Sequence, residues 1–189
     1  MKVTCYQACA DAMGSSFKEG MKVLDYGCGF GDFGWYMENQ LKDFTYYGVE
    51  PHGRYGDSCL SKAKDNHGDN PRMSFGYIGE DLEAKAIEDV NVALLLSIFT
   101  HLGIDRTEQI MMKLLPIVER GGIIVFTMIH GPEYRIVGPK VYNASAYSVV
   151  YNTKEQVNSM AVRHGIAIEK QGEWPHKWKY LHSIYKVSQ

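Results

Sequence analysis

A glycine-rich turn follows the first apolar run of the sequence, and an acidic residue stands at its start. Gly27, Gly29 and Gly31 alternate with other residues directly after Met21–Asp25. Glycines at such positions let the backbone turn sharply and approach a ligand closely. The carboxylate of Asp25 would repel an anion such as a pyrophosphate, whereas it suits a ligand that carries a positive charge and hydroxyl groups. The turn therefore predicts a binding site for a small cationic molecule.

The same turn has a second interpretation. Gly29, Gly31 and Gly34 match the spacing of the dinucleotide-binding fingerprint. In that fingerprint the first glycine directly follows an apolar strand, and the next helix directs its N-terminus at a pyrophosphate. Asp25 does not fit this register. A nicotinamide-dependent oxidoreductase is therefore the less favoured alternative.

Alternating strand and helix patterns surround the turn and predict an α/β fold. Helical periodicity begins at Phe33, after the turn, and recurs downstream. We expect one doubly wound, mostly parallel sheet of seven strands, with helices on both faces and an antiparallel last strand. The predicted strands are 21–25, 44–49, 73–78, 92–98, 123–129, 166–171 and 178–187, and the predicted helices are 33–41, 54–66, 110–118 and 154–164.

Helix ends are predicted from local signals. Asp105 with Glu108, and Thr153 with Gln156, have the spacing of capping boxes at helix starts. Gly121–Gly122 is expected to end the helix that carries Ile110 and Val118. The stretch 131–151 is expected to be irregular and to lie over the carboxyl edge of the sheet as a substrate lid. We expect one domain over 1–189, with 1–20 as an N-terminal cap.

Composition limits the classes of function. The chain has 189 residues, 45% of them apolar and 22% charged, which is typical of a globular domain. A net charge of −2 argues against a surface that neutralises nucleic-acid phosphates. The four cysteines form no C-x-x-C pair, so a structural metal site is not expected. We expect free thiols in a reducing compartment instead. No signal peptide or membrane span is predicted, and we expect a cytoplasmic protein.

The segment from Val23 to Gly31 resembles motif I of the class I S-adenosylmethionine-dependent methyltransferases, and similar segments follow in the family's order over about 21–187. The resemblance implies S-adenosylmethionine as cofactor, with S-adenosylhomocysteine as product. Glu50, followed by Pro51, would bind the ribose hydroxyls, and Asp81, followed by Leu82, would meet the adenine amino group. Asp81 could instead cap a helix. Ser97 lies in the segment whose carbonyls meet the methionine amino group. The implied cofactor residues are Asp25, Gly27, Gly29, Gly31, Glu50, Pro51, Asp81, Leu82 and Ser97.

Methyl transfer needs alignment of donor and acceptor, and a general base only if the acceptor must lose a proton. His101 and His130 follow predicted strands and are the candidate bases, although either could be structural. The candidate substrate contacts lie in the long stretch and are Tyr134, Arg135, Tyr142 and Tyr147.

The acceptor is expected to be a small molecule. The segment at Ser97 lacks the prolines typical of nucleic-acid amino-methyltransferases, no Pro-Cys dipeptide occurs, and no DNA-reading element is evident. A non-catalytic S-adenosylmethionine-binding partner subunit stays open as an alternative. The sequence identifies neither the acceptor atom nor the oligomeric state.

Overall fold

The computed structural model describes residues 4–79, 87, 89–142, 145–175 and 181–188. The helices are α1 (Cys5–Met13), α2 (Asp32–Gln40), α3 (Arg54–His67), α4 (Ile104–Leu114) and α5 (Lys154–His164), with 3₁₀ turns at Gly14–Ser16 and Phe99–His101. The strands are β1 (Met21–Tyr26), β2 (Phe44–Glu50), β3 (Met73–Tyr77), β4 (Val90–Leu95), β5 (Val118–His130), β6 (Arg135–Tyr142), β7 (Ser145–Asn152), β8 (Ala167–Pro175) and β9 (Leu181–Ser188).

One mixed sheet organises the described residues. Strands β3, β2, β1, β4 and β5 are parallel and adjacent in that order. Strand β9 pairs antiparallel with β5 and carries β8 on its other edge. From β1 the chain builds β2 and β3 on one side and then crosses over to build β4 and β5 on the other side, so the strand order reverses between β1 and β4. Ligands of open α/β sheets bind outside the carboxyl ends of strands at such a point.

Both faces of the central strands are buried, because helices cover the sheet on two sides. Val23 of β1 packs in one apolar cluster with Phe33 and Met37 of α2, whereas the next residue, Leu24, packs in the other with Met111 of α4. A continuous apolar run such as that of β4 is what a central parallel strand requires. The predicted fold class is thereby confirmed.

The stretch 131–151 differs from the irregular loop that we expected. It forms most of a β-hairpin, β6–β7, so that the sheet has nine strands among the described residues. Among the described residues, the hairpin pairs with the sheet where Ile129 and His130 of β5 meet Tyr151 and Asn152 of β7. Alternating apolar residues could have suggested the two strands, but Gly138 and Pro139 interrupt the first one, where the hairpin register also shifts.

Two of the predicted helix ends are wrong, and one is confirmed. Gly103, and not Asp105, caps α4, and no side chain caps that helix end. Glu108 instead accepts hydrogen bonds from Arg163 and His164 of α5, 2.5 Å each to its two oxygens. The Thr153–Gln156 capping box is present as predicted.

Helix α4 ends at Leu114, well before the glycine pair at 121–122. Those glycines lie inside β5, where the register against β4 shifts between Val90 and Val92, and Gly121 has φ +85°. The glycine pair thus lies at an irregularity within a strand and not at the helix end that we expected. None of the helices in the described ranges is long and apolar enough to cross a membrane.

Candidate functional site

The glycine turn leaves β1 at the point where the strand order reverses. The N–H groups of Gly27 and Cys28 donate to the carbonyl of Val49 in β2, at 2.8 and 3.2 Å, so the turn bends over the end of that strand. Gly27 has φ +80°, and a Cβ atom there would lie 2.2 Å from Cδ1 of Ile98. No other residue fits this position without displacing its neighbours.

A cleft of about 480 Å³ opens above this turn. Its floor is built at the carboxyl ends of β1 and β4, and its walls come from α1, the residues around the start of α2, α3 and β8. The floor consists of Asp25, Gly27, Cys28, Gly29, Leu96 and Ser97. The walls include Cys5, Tyr6, Phe30, Asp32, Tyr55 and Trp174.

Asp25 is the buried acid of the cleft. Its side chain is 3% exposed and accepts a 2.7 Å hydrogen bond from the hydroxyl of Tyr46. Burial raises the pKa of Asp25 to about 7, because desolvation disfavours the charged carboxylate more than the Tyr46 hydrogen bond favours it. The negative charge of Glu50 raises the pKa further. A cation bound in the cleft would offset these costs and favour the ionised form.

Glu50 ends β2 and holds the glycine turn in place. Its Oε1 accepts a 2.6 Å hydrogen bond from the N–H of Gly29, and its side chain is buried. Burial raises the pKa of Glu50, and the Gly29 hydrogen bond partly offsets that shift. A Cβ atom on Gly29 would meet nothing within 4 Å, so the turn faces open space on that side. Glu50 itself is not among the cleft-lining residues, whereas Gly29 is.

The remaining predicted cofactor residues lie around this centre or outside the described residues. Pro51 directly follows Glu50 at the end of β2 and is exposed. The next residue, His52, stacks on Tyr77 of β3 with ring centroids 4.0 Å apart. Ser97 lines the floor of the cleft, as expected. Asp81 and Leu82 fall outside the described residues.

Both candidate bases make hydrogen bonds to the β7 backbone. Nδ1 of His101 lies 2.7 Å from the carbonyl of Ser148. Nδ1 of His130 lies 3.0 Å from the carbonyl of Asn152, and Nε2 lies 2.6 Å from the Tyr185 hydroxyl. Burial lowers the pKa of His130. Because a carbonyl can only accept, Nδ1 carries the proton of each neutral ring. Neither side chain lines the cleft.

The candidate substrate residues lie on or before the β6–β7 hairpin, away from the cleft lining. Tyr134 is 45% exposed, and its hydroxyl lies next to the backbone of Gly103. The guanidinium of Arg135 stacks over the ring of Tyr151, 4.2 Å from its centroid. The side chains of Tyr142 and Tyr147 lie outside the described residues.

Several lining residues were missed by sequence analysis. The hydroxyl of Tyr6 donates to Oδ2 of Asp32 at 3.2 Å, which ties α1 to the start of α2. Burial, with the charge of Asp32, raises the pKa of Tyr6 above its usual range. Asp32 directly follows Gly31, so its position at the turn could have indicated it. No local signal indicates Trp174, because the β8–β9 pairing brings it to the cleft.

The lining has one sign of charge. It contains two carboxyl groups, those of Asp25 and Asp32, and no lysine, arginine or histidine among the described residues. No group of three or more potential metal ligands occurs in the part of the chain that the structure describes. The arrangement therefore suits an uncharged or cationic organic ligand better than an anion.

Neither a family model nor a curated protein sequence matches this chain. Solved structures do match its fold. The chain is similar to an S-adenosylmethionine-dependent methyltransferase from Aquifex aeolicus at 16% identity and a TM-score of 0.67, over 99% of this chain and 91% of that one. It is also similar to an S-adenosylmethionine-bound amino pentose methyltransferase of calicheamicin biosynthesis from Micromonospora echinaspora, at 12% identity and a TM-score of 0.68, over 96% and 89%.

A third similar structure is a candidate O-methyltransferase from Nostoc punctiforme, at 18% identity and a TM-score of 0.67. That match covers 97% of this chain but only 55% of the Nostoc protein. At these identities the likeness concerns the fold, and the chain has the Rossmann-like fold of these methyltransferases.

Proposed function

We propose that this chain is an S-adenosylmethionine-dependent methyltransferase that acts on a small molecule. The observation that carries the proposal is the common location of a buried acid, a glycine turn and a second buried acid at the point where the strand order reverses. Asp25 lies beneath the cleft, and Glu50 is bonded to the turn through Gly29. The neighbours with this fold include one crystallised with S-adenosylmethionine.

The residues present fit this cofactor. Gly29 leaves open space above the turn, and the acidic, partly aromatic lining matches a ligand with a sulfonium and an ammonium group. Glu50 would bind the ribose hydroxyls, since a carboxylate accepts two hydrogen bonds from a diol. Asp25 would stabilise positive charge. Pro51, Asp81, Leu82 and Ser97 are further residues that we propose to contact the cofactor.

S-adenosylmethionine, when bound, supplies an activated methyl group and its own leaving group for an in-line displacement. The chain must then orient the acceptor and exclude water. Burial keeps Tyr6, Cys5 and Cys28 protonated, because it raises the pKa of each. These groups can contact an acceptor but are poor bases at neutral pH.

The two histidines are the proposed bases if the acceptor must lose a proton. Nε2 is the basic nitrogen of each neutral ring, because Nδ1 donates to β7. In His130 that nitrogen accepts from the Tyr185 hydroxyl, so a proton would reach it through Tyr185. Tyr134, Arg135, Tyr142 and Tyr147 are proposed to contact the acceptor, with 131–151 as the lid of a single domain.

Calorimetric titration tests the cofactor assignment. We expect the purified chain to bind S-adenosylhomocysteine and not NAD. Glu50→Gln keeps the size of the side chain but weakens acceptance from the ribose hydroxyls and from Gly29, so affinity should fall at least tenfold. Glu38→Gln, on the exposed surface of α2, is the matched control and should bind normally. Binding of NAD alone would overturn the proposal in favour of an oxidoreductase.

A non-catalytic binding subunit is the second candidate. It would bind S-adenosylhomocysteine with the same dependence on Glu50, and it would transfer no methyl group to any acceptor. Mass spectrometry of a small-molecule extract, incubated with the chain and methyl-labelled cofactor, separates the two functions. A labelled product, lost in the Glu50→Gln variant, identifies an enzyme.

A further inference from the structure

The backbone at Ser97 adopts an unusual conformation on the floor of the cleft. Ser97 has φ +62°, and only Asp89 shares a positive φ among the described non-glycine residues. Side chains with a Cβ atom pay a free-energy cost in this left-handed region, and such strain persists only where neighbouring groups enforce it. The groups that enforce it here can be identified.

Two buried threonine hydroxyls hold the backbone of Ser97. The N–H of Ser97 donates to Oγ1 of Thr127 in β5 at 2.8 Å, and Oγ1 of Thr100 donates to the carbonyl of Ser97 at 2.7 Å. Thr127 is fully buried and Thr100 is 2% exposed. The last backbone pair of β4 and β5 is Leu95 with Phe126. Thr127 therefore supplies, from its side chain, the partner that the ladder no longer provides.

The hydrogen bond to Thr127 also sets the direction of the preceding carbonyl. In a planar trans peptide the N–H of one residue and the C=O of the residue before it point in opposite directions. Strand β4 lies between β1 and β5. Because the N–H of Ser97 points to β5, the carbonyl of Leu96 points to the β1 side. The β1–β4 register, extended from Asp25 and Leu94, places Leu96 beside Gly27, and both line the cleft.

We propose that Thr127 is a positioning residue, which directs the Leu96 carbonyl into the cleft as an acceptor for a ligand ammonium group. This inference rests on the proposed function, in which the ammonium belongs to the methionine part of the cofactor. Thr100 supports the same geometry from the other side of Ser97.

Two ligands separate this role from a general structural one. S-adenosylhomocysteine carries the ammonium group, whereas 5′-methylthioadenosine shares the adenosine and sulfur but lacks it. Thr127→Val has nearly the same shape but no oxygen acceptor, and Thr127→Ser restores the oxygen. We expect Thr127→Val to lower the affinity for S-adenosylhomocysteine at least tenfold, which is typical when a hydrogen bond to a charged group is lost. Affinity for 5′-methylthioadenosine should change less than twofold, and Thr127→Ser should bind both ligands like the wild type.

The outcomes of these calorimetric titrations are distinct. Equal losses for both ligands, or no loss for either, would overturn the positioning role while leaving the cofactor assignment intact. Failure of the wild type to bind either ligand would overturn the proposed function and this inference together. Thermal melting checks that each variant is folded, and Thr127→Ala, which also lacks the oxygen, replaces Thr127→Val if that variant does not fold.

Discussion

The carboxyl edge of the sheet has two regions that are built differently. Over β1 and β4, short and mostly buried contacts fix the floor of the cleft, from Glu50 on Gly29 to Thr127 on Ser97. Beyond β5, the β6–β7 hairpin meets the sheet through two residue pairs and through hydrogen bonds from His101 and His130. We therefore expect the second region to open more easily than the first, since weakly anchored segments open most easily.

A large loss of stability is expected for a substitution at Gly27, in the first region. In Gly27→Ala the new methyl group would lie 2.2 Å from Cδ1 of Ile98, at a φ that disfavours alanine. We expect a loss of unfolding free energy of about 3 kcal/mol or more, from overpacking and backbone strain together. Denaturant unfolding measures the loss.

The matched control for Gly27→Ala is Gly29→Ala. Gly29 also has positive φ, but a Cβ atom there has nothing within 4 Å. This variant should lose only about 1 kcal/mol, from strain alone. Equal losses in the two variants would show that the close packing against Ile98 does not constrain the turn.

A change in stability of opposite sign is expected at Asp25. Its pKa is about 7 in the folded chain against 3.8 for an ordinary aspartate. Between these values the folded state holds a proton that the unfolded state has released, so the contribution of Asp25 to the free energy of unfolding falls as pH rises from about 4 to 7 and is then constant. Asp25→Asn removes this fall. We expect the variant to be about 4 kcal/mol more stable than the wild type at pH 8, because a pKa difference of about 3 units corresponds to about 1.4 kcal/mol per unit.

The same variant should lose ligand affinity while it gains stability. A cation favours ionised Asp25, so wild-type affinity for S-adenosylhomocysteine should rise between pH 6 and 8, and that of Asp25→Asn should stay low and constant. Melting curves and titrations at both pH values measure these effects. Wild-type affinity that does not change with pH would show that the charge of Asp25 does not contribute to ligand binding.

The smallest effect is expected in the hairpin region. His101→Ala removes one hydrogen bond to Ser148, worth about 1 kcal/mol. Amide exchange should become faster in β7, whereas affinity for S-adenosylhomocysteine should change less than twofold. His101→Asn, which can still donate, serves as the control. A large loss of cofactor affinity in His101→Ala would show that the two regions are not separate.

The difference between the two regions also explains what could be predicted from the sequence. Asp25, the glycine turn and Glu50 are close along strands whose pattern is local, so both the strand ends and their meeting at one edge follow from the sequence. Trp174 reaches the cleft, and Thr127 reaches the backbone of Ser97, through pairings between distant strands, which no local pattern specifies. The prediction of a helix end at Gly121–Gly122 was wrong for a related reason. Glycines indicate that a regular element is interrupted, but the β4–β5 register determines whether the interruption is a helix end or a strand irregularity.

A crystal structure of the chain with S-adenosylhomocysteine would test directly whether the cleft over β1 and β4 binds the cofactor. We expect the ligand in the cleft, with its ribose hydroxyls at Glu50 and its ammonium group at the carbonyl of Leu96, near Asp25. A ligand bound elsewhere, or one whose ammonium points away from Leu96, would contradict the proposed cofactor site.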